Sequence, residues 1–223
     1  LLTGRGYACS AIRLSDEIQK TKFAQNISRL RNYKQILALQ KAGNKLRATA
    51  GTFALAAVAC FRISESREAA SRKAGAVDAD ESHPAYPLRH AFVIRSLKHP
   101  DEATFLRTVY GHGFYLIGVH APYEDRKVRL MNDQGMTEKE AVDLIGRDEK
   151  ENEDWGQNTR ETFELADYYL RSDSTPEVEL ERLLNLVFGD LYITPSQDEH
   201  GMHLAAATAF RSSDLARQVG ACL

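Results

Sequence analysis

The chain has 223 residues, 43% of them hydrophobic, enough to bury a sizeable core in one large domain or in one domain plus part of another. A formal net charge of −2 gives no overall basic footprint for nucleic acid. The three cysteines, Cys9, Cys60 and Cys222, are scattered without a CxxC spacing, which suits a reducing cytosol and offers neither a disulfide framework nor a zinc site.

In chain order, Ala11–Leu14 reads as a strand after Gly4-Arg5-Gly6-Tyr7, with Ser15 as N-cap of a helix carrying Asp16 and Glu17 in its first turn. Residues 29–41 read as a helix, with Leu30, Tyr33, Ile36, Leu37 and Gln40 three and four apart, stopped by Gly43-Asn44. Thr52–Ile63 reads as an alanine-rich helix. Its Ala54–Phe61 stretch, the most apolar of the chain, is far too short for a bilayer. Residues 64–88 are polar, rich in Ala and Ser and end in two prolines, and read as a mobile or partly helical insertion, a loop being the preferred form.

The centre of the chain is residues 90–130. Phe92-Val93-Ile94 and Tyr115–Val119 are two short apolar runs. Pro100, Asp101 and Glu102 open a helix between them, with Phe105, Leu106 and Val109 on one face. That pattern predicts a βαβ unit in a parallel α/β sheet flanked by helices. Ligands of such sheets bind beyond the carboxyl ends of the strands, which draws attention to Arg95, Ser96, Lys98 and His99, and to His120. Ala121-Pro122 opens a helix bearing Arg126, Lys127 and Arg129. Thr137 and Glu140 form a capping box for a helix with Ala141, Leu144 and Ile145, which runs into the charged stretch Arg147–Glu151. Asn158–Glu161 starts a short helix, Tyr168–Leu170 a strand, and Pro176–Phe188 a helix closed by Gly189. A new unit begins after 189–194, with a helix carrying Met202, Ala205, Ala206 and Ala209, a Ser212-Ser213-Asp214 turn, and a strand starting at Val219.

Arg47, Arg95, Lys98, Arg126, Arg129 and Arg147 could together make an anionic-ligand pocket, arginines being planar donors that suit phosphate. The opposing reading of each is a solvated helix face paired with the many nearby acids. His99, His112 and His120 have no nucleophile beside them in sequence, and capping or surface roles suit them better. His200 and His203 lie one turn apart on a single helix with no third ligand, and we read both as surface residues.

Two resemblances follow from these residues. The stretch from Ile94 to Leu130, and the stretch RDEKENEDWGQNTRETFELADYYL, resemble the core and the lid of P-loop nucleotide kinases, over roughly residues 10–190. That resemblance implies a lid at 147–160 that orders on nucleotide phosphates through Arg147 and Arg160, with Trp155 as its natural fluorescent reporter. The chain has no GxxxxGK[ST] loop, and Arg95 stands where a Mg²⁺-holding acid belongs, so phosphoryl transfer is not expected. We expect the central strand of the sheet, which carries that loop, to be missing. The last thirty residues, TPSQDEHGMHLAAATAFRSSDLARQVGACL, resemble the opening of deoxycytidylate deaminases. The matching positions are Arg211, Ser212, Asp214, Gln218, Val219, Gly220 and Ala221, within the run RSSDLARQVGA.

Together the halves resemble deaminases of bacterial anti-phage systems, with a kinase-like domain at 1–190 ahead of a cytidine deaminase-like α/β domain beginning at 191–223. The resemblance implies that the complete parent is a cytoplasmic hydrolase that uses zinc-activated water to remove the 4-amino group of a deoxycytidine nucleotide. The HxE and PCxxC zinc elements of that family are not in this sequence. We therefore expect a fragment, starting at Leu1 without Met and ending on an apolar run, that holds no zinc and catalyses nothing. Deoxycytidine nucleotides are the expected ligands. A regulatory RNA or protein partner and oligomerisation are compatible with the pattern, and a membrane is not. The alternative function is a nucleotide-sensing regulatory module without catalysis.

Overall fold

The protein is described from a computed structural model that covers residues 1–24, 27, 32–73, 89–150, 158–173, 175–214 and 218–222. It is an α/β chain that divides into two compact units, Leu1–Glu177 and Val178–Leu223. The division falls inside a helix, ahead of the 189–194 boundary read from composition.

The first unit begins with strand β1 (Ala8–Arg13), which passes directly into helix α1 (Leu14–Gln19). Arg13, in extended conformation, is the residue before that helix, so Ser15 lies within the first turn and is not its cap. Helix α2 (Asn32–Ala50) runs straight through Gly43-Asn44, which was expected to stop it. Packing explains this: Gly43 is buried, and a Cβ there would stand 3.3 Å from Ile18 Cδ1 of α1. The glycine lets two helices approach, and the approach outweighs its poor helix propensity. Helix α2 and helix α3 (Ala54–Lys73) are bent 90° from each other around Gly51, whose φ is 99°. Helix α3 thus extends well past Ile63, so the first part of the 64–88 insertion takes its helical alternative and not the preferred loop, while residues 74–88 lie outside the described residues.

Strand β2 (His90–Arg95) pairs in parallel with β1, in register from Ala8 opposite His90 to Arg13 opposite Arg95. Ile12, Phe92 and Ile94 point into a core with Leu14 and Ile18 of α1, Ala42 of α2, and Leu55, Ala59 and Ile63 of α3. One face of this strand pair is therefore covered by helices.

Helix α4 (Pro100–Tyr110) follows β2, with Pro100 in the first turn and Asp101 and Glu102 behind it, as the sequence predicts. Its buried face is Glu102, Ala103 and Leu106, whereas Val109 is 49% exposed. The expected face is turned because Glu102 is held inward. Phe105 stacks on Phe53, the rings 5.0 Å apart. Strand β3 (Ile117–His120) does not pair with β2. It pairs in parallel with β4 (Tyr168–Arg171), so the two apolar runs of the expected βαβ unit lie in different two-stranded sheets.

Between β3 and β4 come α5 (Tyr123–Gln134), α6 (Glu138–Lys150) and α7 (Thr159–Glu164). Thr137 and Glu140 form the anticipated capping box ahead of α6, and Ala141, Leu144 and Ile145 are its buried face. Asn158 caps α7 by accepting from Glu161 N, and its own N–H donates to Lys98 O. Gly118 is the close-approach point of the second sheet, with Phe163 of α7 and Tyr169 of β4 packed over it.

Helix α8 (Pro176–Val187) crosses the division and ends before Gly189, at φ 83°. In the second unit, α9 (Gln197–Ala209) starts with a capping box of Ser196 and Glu199. Glu199 also takes both Nη atoms of Arg182 from α8, at 2.7 Å each. No residue of α9 is buried. Residues 218–222 form no strand, in contrast to the expectation at Val219. A strand needs a neighbour to take its backbone groups, and no described residue of this unit offers one. Among the described residues, no single helix is long and apolar enough to cross a membrane.

Candidate functional site

The carboxyl end of β2 turns sharply, because Ser96 adopts φ 74°, a left-handed conformation uncommon outside glycine. Lys98 and His99 are thereby delivered to the start of α4. His99 is the N-cap, 7% exposed, and its Nδ1 accepts from Asp101 N at 3.2 Å. That is the capping role the sequence favoured for it.

Glu102 organises the loop. One carboxylate oxygen accepts from Lys98 N at 2.9 Å and from His99 N at 3.3 Å. The other accepts from Arg47 Nε and Nη2 of α2, both at 2.8 Å. Glu102 is fully enclosed and Arg47 is 1% exposed. Charges so buried persist only when each is paired and bonded, and here both conditions are met. Arg47, read from sequence as a phosphate ligand, is thus placed inside the core against a carboxylate.

Lys98 Nζ reaches Asp148 Oδ1 of α6 at 3.2 Å, and the same oxygen accepts from Gln40 Nε2 of α2 at 3.0 Å. One turn earlier on α6, Asp143 accepts from Tyr33 at 2.5 Å and from Arg147 Nε at 2.7 Å. Those two bonds, Tyr33's first, hold the Asp143 carboxyl below its usual range, and the same contact pushes the Tyr33 hydroxyl up. The structure therefore brings Arg47, Lys98 and Arg147 to a common region of α2, α6 and the β2–α4 loop, each facing an acid. Arg126 sits on α5, Arg129 one turn further on. Arg95 is exposed at the end of β2. Of the expected lid, residues 151–157 and with them Trp155 lie outside the described residues, while Arg160 on α7 pairs with Glu164 at 3.6 Å.

The second sheet ends similarly. His120 and Arg171 are register partners at the carboxyl ends of β3 and β4, and Ser172 N donates to His120 O at 2.9 Å. Arg171 forks onto Asp173 through Nε at 3.1 Å and Nη2 at 2.8 Å. These bonds lower the Asp173 carboxyl, with a smaller contribution from the nearby His120. Sequence reasoning singled out His120 but missed Glu102 as a buried hub, and missed Asp148, Arg171 and Asp173. A signal was available for Glu102 alone, in its third-position placement after a helix start.

In the second unit, the run resembling a deaminase opening closes α9. Arg211 N and Ser212 N donate to Thr208 O and Ala209 O, and Ser212 Oγ accepts from Asp214 N at 3.2 Å, which makes a compact turn. Gly220 lies directly on α9, where a Cβ would collide with Ala205 O, Ala209 N and Thr208 Oγ1. Gln218, Val219 and Ala221 flank it, and Val219 is 74% exposed. Among the described residues, no three His, Cys, Asp or Glu side chains converge as a metal site. The donors of a catalytic zinc, three protein ligands about one ion, do not fit what these residues offer. His200 and His203 sit on α9, and no third ligand joins them among the described residues.

No family model matches the chain. No curated protein matches it significantly either.

Proposed function

We propose that this chain is the nucleotide-binding N-terminal portion of a cytoplasmic, zinc-dependent deoxycytidine nucleotide deaminase that acts in nucleotide metabolism and anti-phage defence. The observation that carries the nucleotide-binding part is the placement of cations at the carboxyl ends of both parallel strand pairs: Arg95 and Lys98 after β2, and His120 and Arg171 at the ends of β3 and β4. Phosphate ligands of α/β sheets sit at that edge. The deaminase part rests on the run Arg211–Ala221, whose first residues form a turn at the end of a well-capped helix.

The finer fold we assign is a P-loop kinase-like sheet without its middle strand. Support comes from the two separate parallel pairs joined by α4, with β2 and β3 each left with an unpaired edge among the described residues. In a deaminase of this kind, zinc would activate water for attack at C4 of the base. The described residues of this chain supply none of that chemistry. Their part is to bind and orient phosphate.

The test is to express the chain with its native flanking sequence and assay ammonia release from dCMP, dCTP and cytidine. Release from the deoxynucleotides with stoichiometric zinc is expected. A zinc-free protein inert on all three sinks the deaminase assignment. A second reading is a regulatory module that senses nucleotide or a partner RNA or protein; it uses the same strand-end cations. Arg95, which cannot hold the Mg²⁺ that phosphoryl transfer needs, sets a working kinase aside from both readings. Nucleotide binding without ammonia release would select the regulatory module.

A further inference from the structure

Among the described residues, the β1/β2 pair is covered on one face only. Register sets Ala11 beside Val93 and Arg13 beside Arg95, and alternation puts these four on the face opposite Ile12 and Ile94. All four are exposed, Val93 to 45%. Parallel sheets normally bury both faces, so a bare floor of small apolar side chains ending in two adjacent arginines calls for an explanation.

The two arginines also differ from several others of this chain. Arg47, Arg62, Arg107, Arg171 and Arg182 each meet a carboxylate at 2.9 Å or closer. Arg13 and Arg95 meet none among the described residues, although Asp16 lies one turn along α1 from the end of β1. Like charges directly opposite on neighbouring strands oppose the pairing of those strands. Nothing in the local packing requires either charge: Arg13 simply ends β1 and Arg95 ends β2.

We propose that Arg13 and Arg95 form a clamp for a phosphate monoester or pyrophosphate group, with the Ala11–Val93 floor beneath the rest of the ligand. This deepens the nucleotide-binding reading and rests on it. Two side-by-side guanidinium forks match a dianionic tetrahedral group, each offering two parallel N–H donors. A carboxylate would neutralise only one of the two charges. The carboxyl edge of parallel strands is also where such a group is expected. The chemistry recognised is the phosphate itself, carried by a nucleotide or free in solution.

The experiment is calorimetric titration of the full chain with inorganic phosphate, pyrophosphate, dCMP and deoxycytidine, at constant ionic strength set with chloride. Arg13→Gln, Arg95→Gln and Arg13→Lys are run alongside. Pyrophosphate and dCMP should bind and deoxycytidine should not. Each glutamine variant should weaken binding about tenfold or more, the range for losing a charged hydrogen-bonding partner. Arg13→Lys should keep part of the affinity. Because both side chains are exposed and opposed, the glutamine variants should melt at or above the parent's temperature without ligand. Tighter binding of dCMP than of pyrophosphate identifies the nucleotide as the source of the phosphate. The reverse identifies the inorganic anion and leaves the clamp standing. No anion binding above the chloride control, or variants that bind as tightly as the parent, overturns the clamp. Ammonia release by the flanked protein reads the deaminase assignment separately, so deamination without anion binding removes the clamp alone.

Discussion

Arg47 Nε donates to Glu102 Oε1 at 2.8 Å, and both side chains are shut off from solvent. The pair ties the last turn of α2 to the first turn of α4, and through Lys98 N and His99 N it fixes the loop after β2. Removing one partner strands the other as a buried charge. Arg47→Met should therefore destabilise by about 3–5 kcal/mol. Glu102→Gln should cost at least as much, since the loop amides lose a charged acceptor. In Arg47→Met with Glu102→Gln, the loss should be well below the sum of the singles. Urea melts of the four proteins check this, and strict additivity would remove the pair from its structural role.

Gly118 leaves no room for a side chain. A Cβ there would stand 2.9 Å from Phe163 Cε2 and 3.0 Å from Tyr169 Cδ1. Gly118→Ala should cost about 1–3 kcal/mol as overpacking, and Phe163→Leu on that background should return part of it. Equal melting of Gly118→Ala and the parent would mean that the α7–sheet contact is loose.

Glu199 couples the α9 cap to α8. Its carboxyl is held below the usual 4.5, first by the bonds from Arg182 and then by Ser196 N. A carboxyl lowered in the folded state adds stability that is complete above the unfolded value and lost as pH falls through the folded one. Helicity of the second unit should hold from neutral pH to about pH 5 and then fade over the next few units. Arg182→Gln should move that loss to higher pH. An acid transition that ignores this substitution would detach Glu199 from the stability of α9.

Free strand edges should be visible in amide exchange. In a parallel pair, half of each strand's N–H groups face away from the partner. About half the amides of β2 and of β3 should exchange near the unprotected rate, while those directed at β1 and β4 are slowed. Uniform protection along both strands, measured on the dilute monomer, would show that the edges are covered.

Much of this fold can be read from the residues. The Pro100-Asp101-Glu102 start, the Thr137/Glu140 box, the Asn158 cap and the Gly189 stop are local signals, and local physics acts on them. Apart from Ser15, which lies inside the first turn of the helix it was expected to cap, the main misses are non-local. Gly43 looks like a stop until Ile18 is known to lie against it. The pairing of β2 with β1 and of β3 with β4 depends on partners far away in sequence, which a hydrophobic run cannot name. The candidate site divides the same way. Strand-end cations such as Arg95 follow from the strand pattern, whereas the engagement of Arg47 with Glu102 and of Lys98 with Asp148 needs three helices in place.

The register of the first sheet also constrains the order in which the molecule can assemble. Ala8 pairs with His90, so β1 is synthesised early and must wait while α2 and α3 are made before its hydrogen-bonding partner exists. Closing so long a loop is entropically costly and slow, as for any non-local strand pair. Ile12, Leu14 and Ile18 can meanwhile settle against Ala42, Leu55 and Ala59, giving a helical platform onto which β2 later docks. Folding should be limited by the arrival of β2. Changes in that platform, such as Leu55→Ala, should then slow refolding more than they speed unfolding.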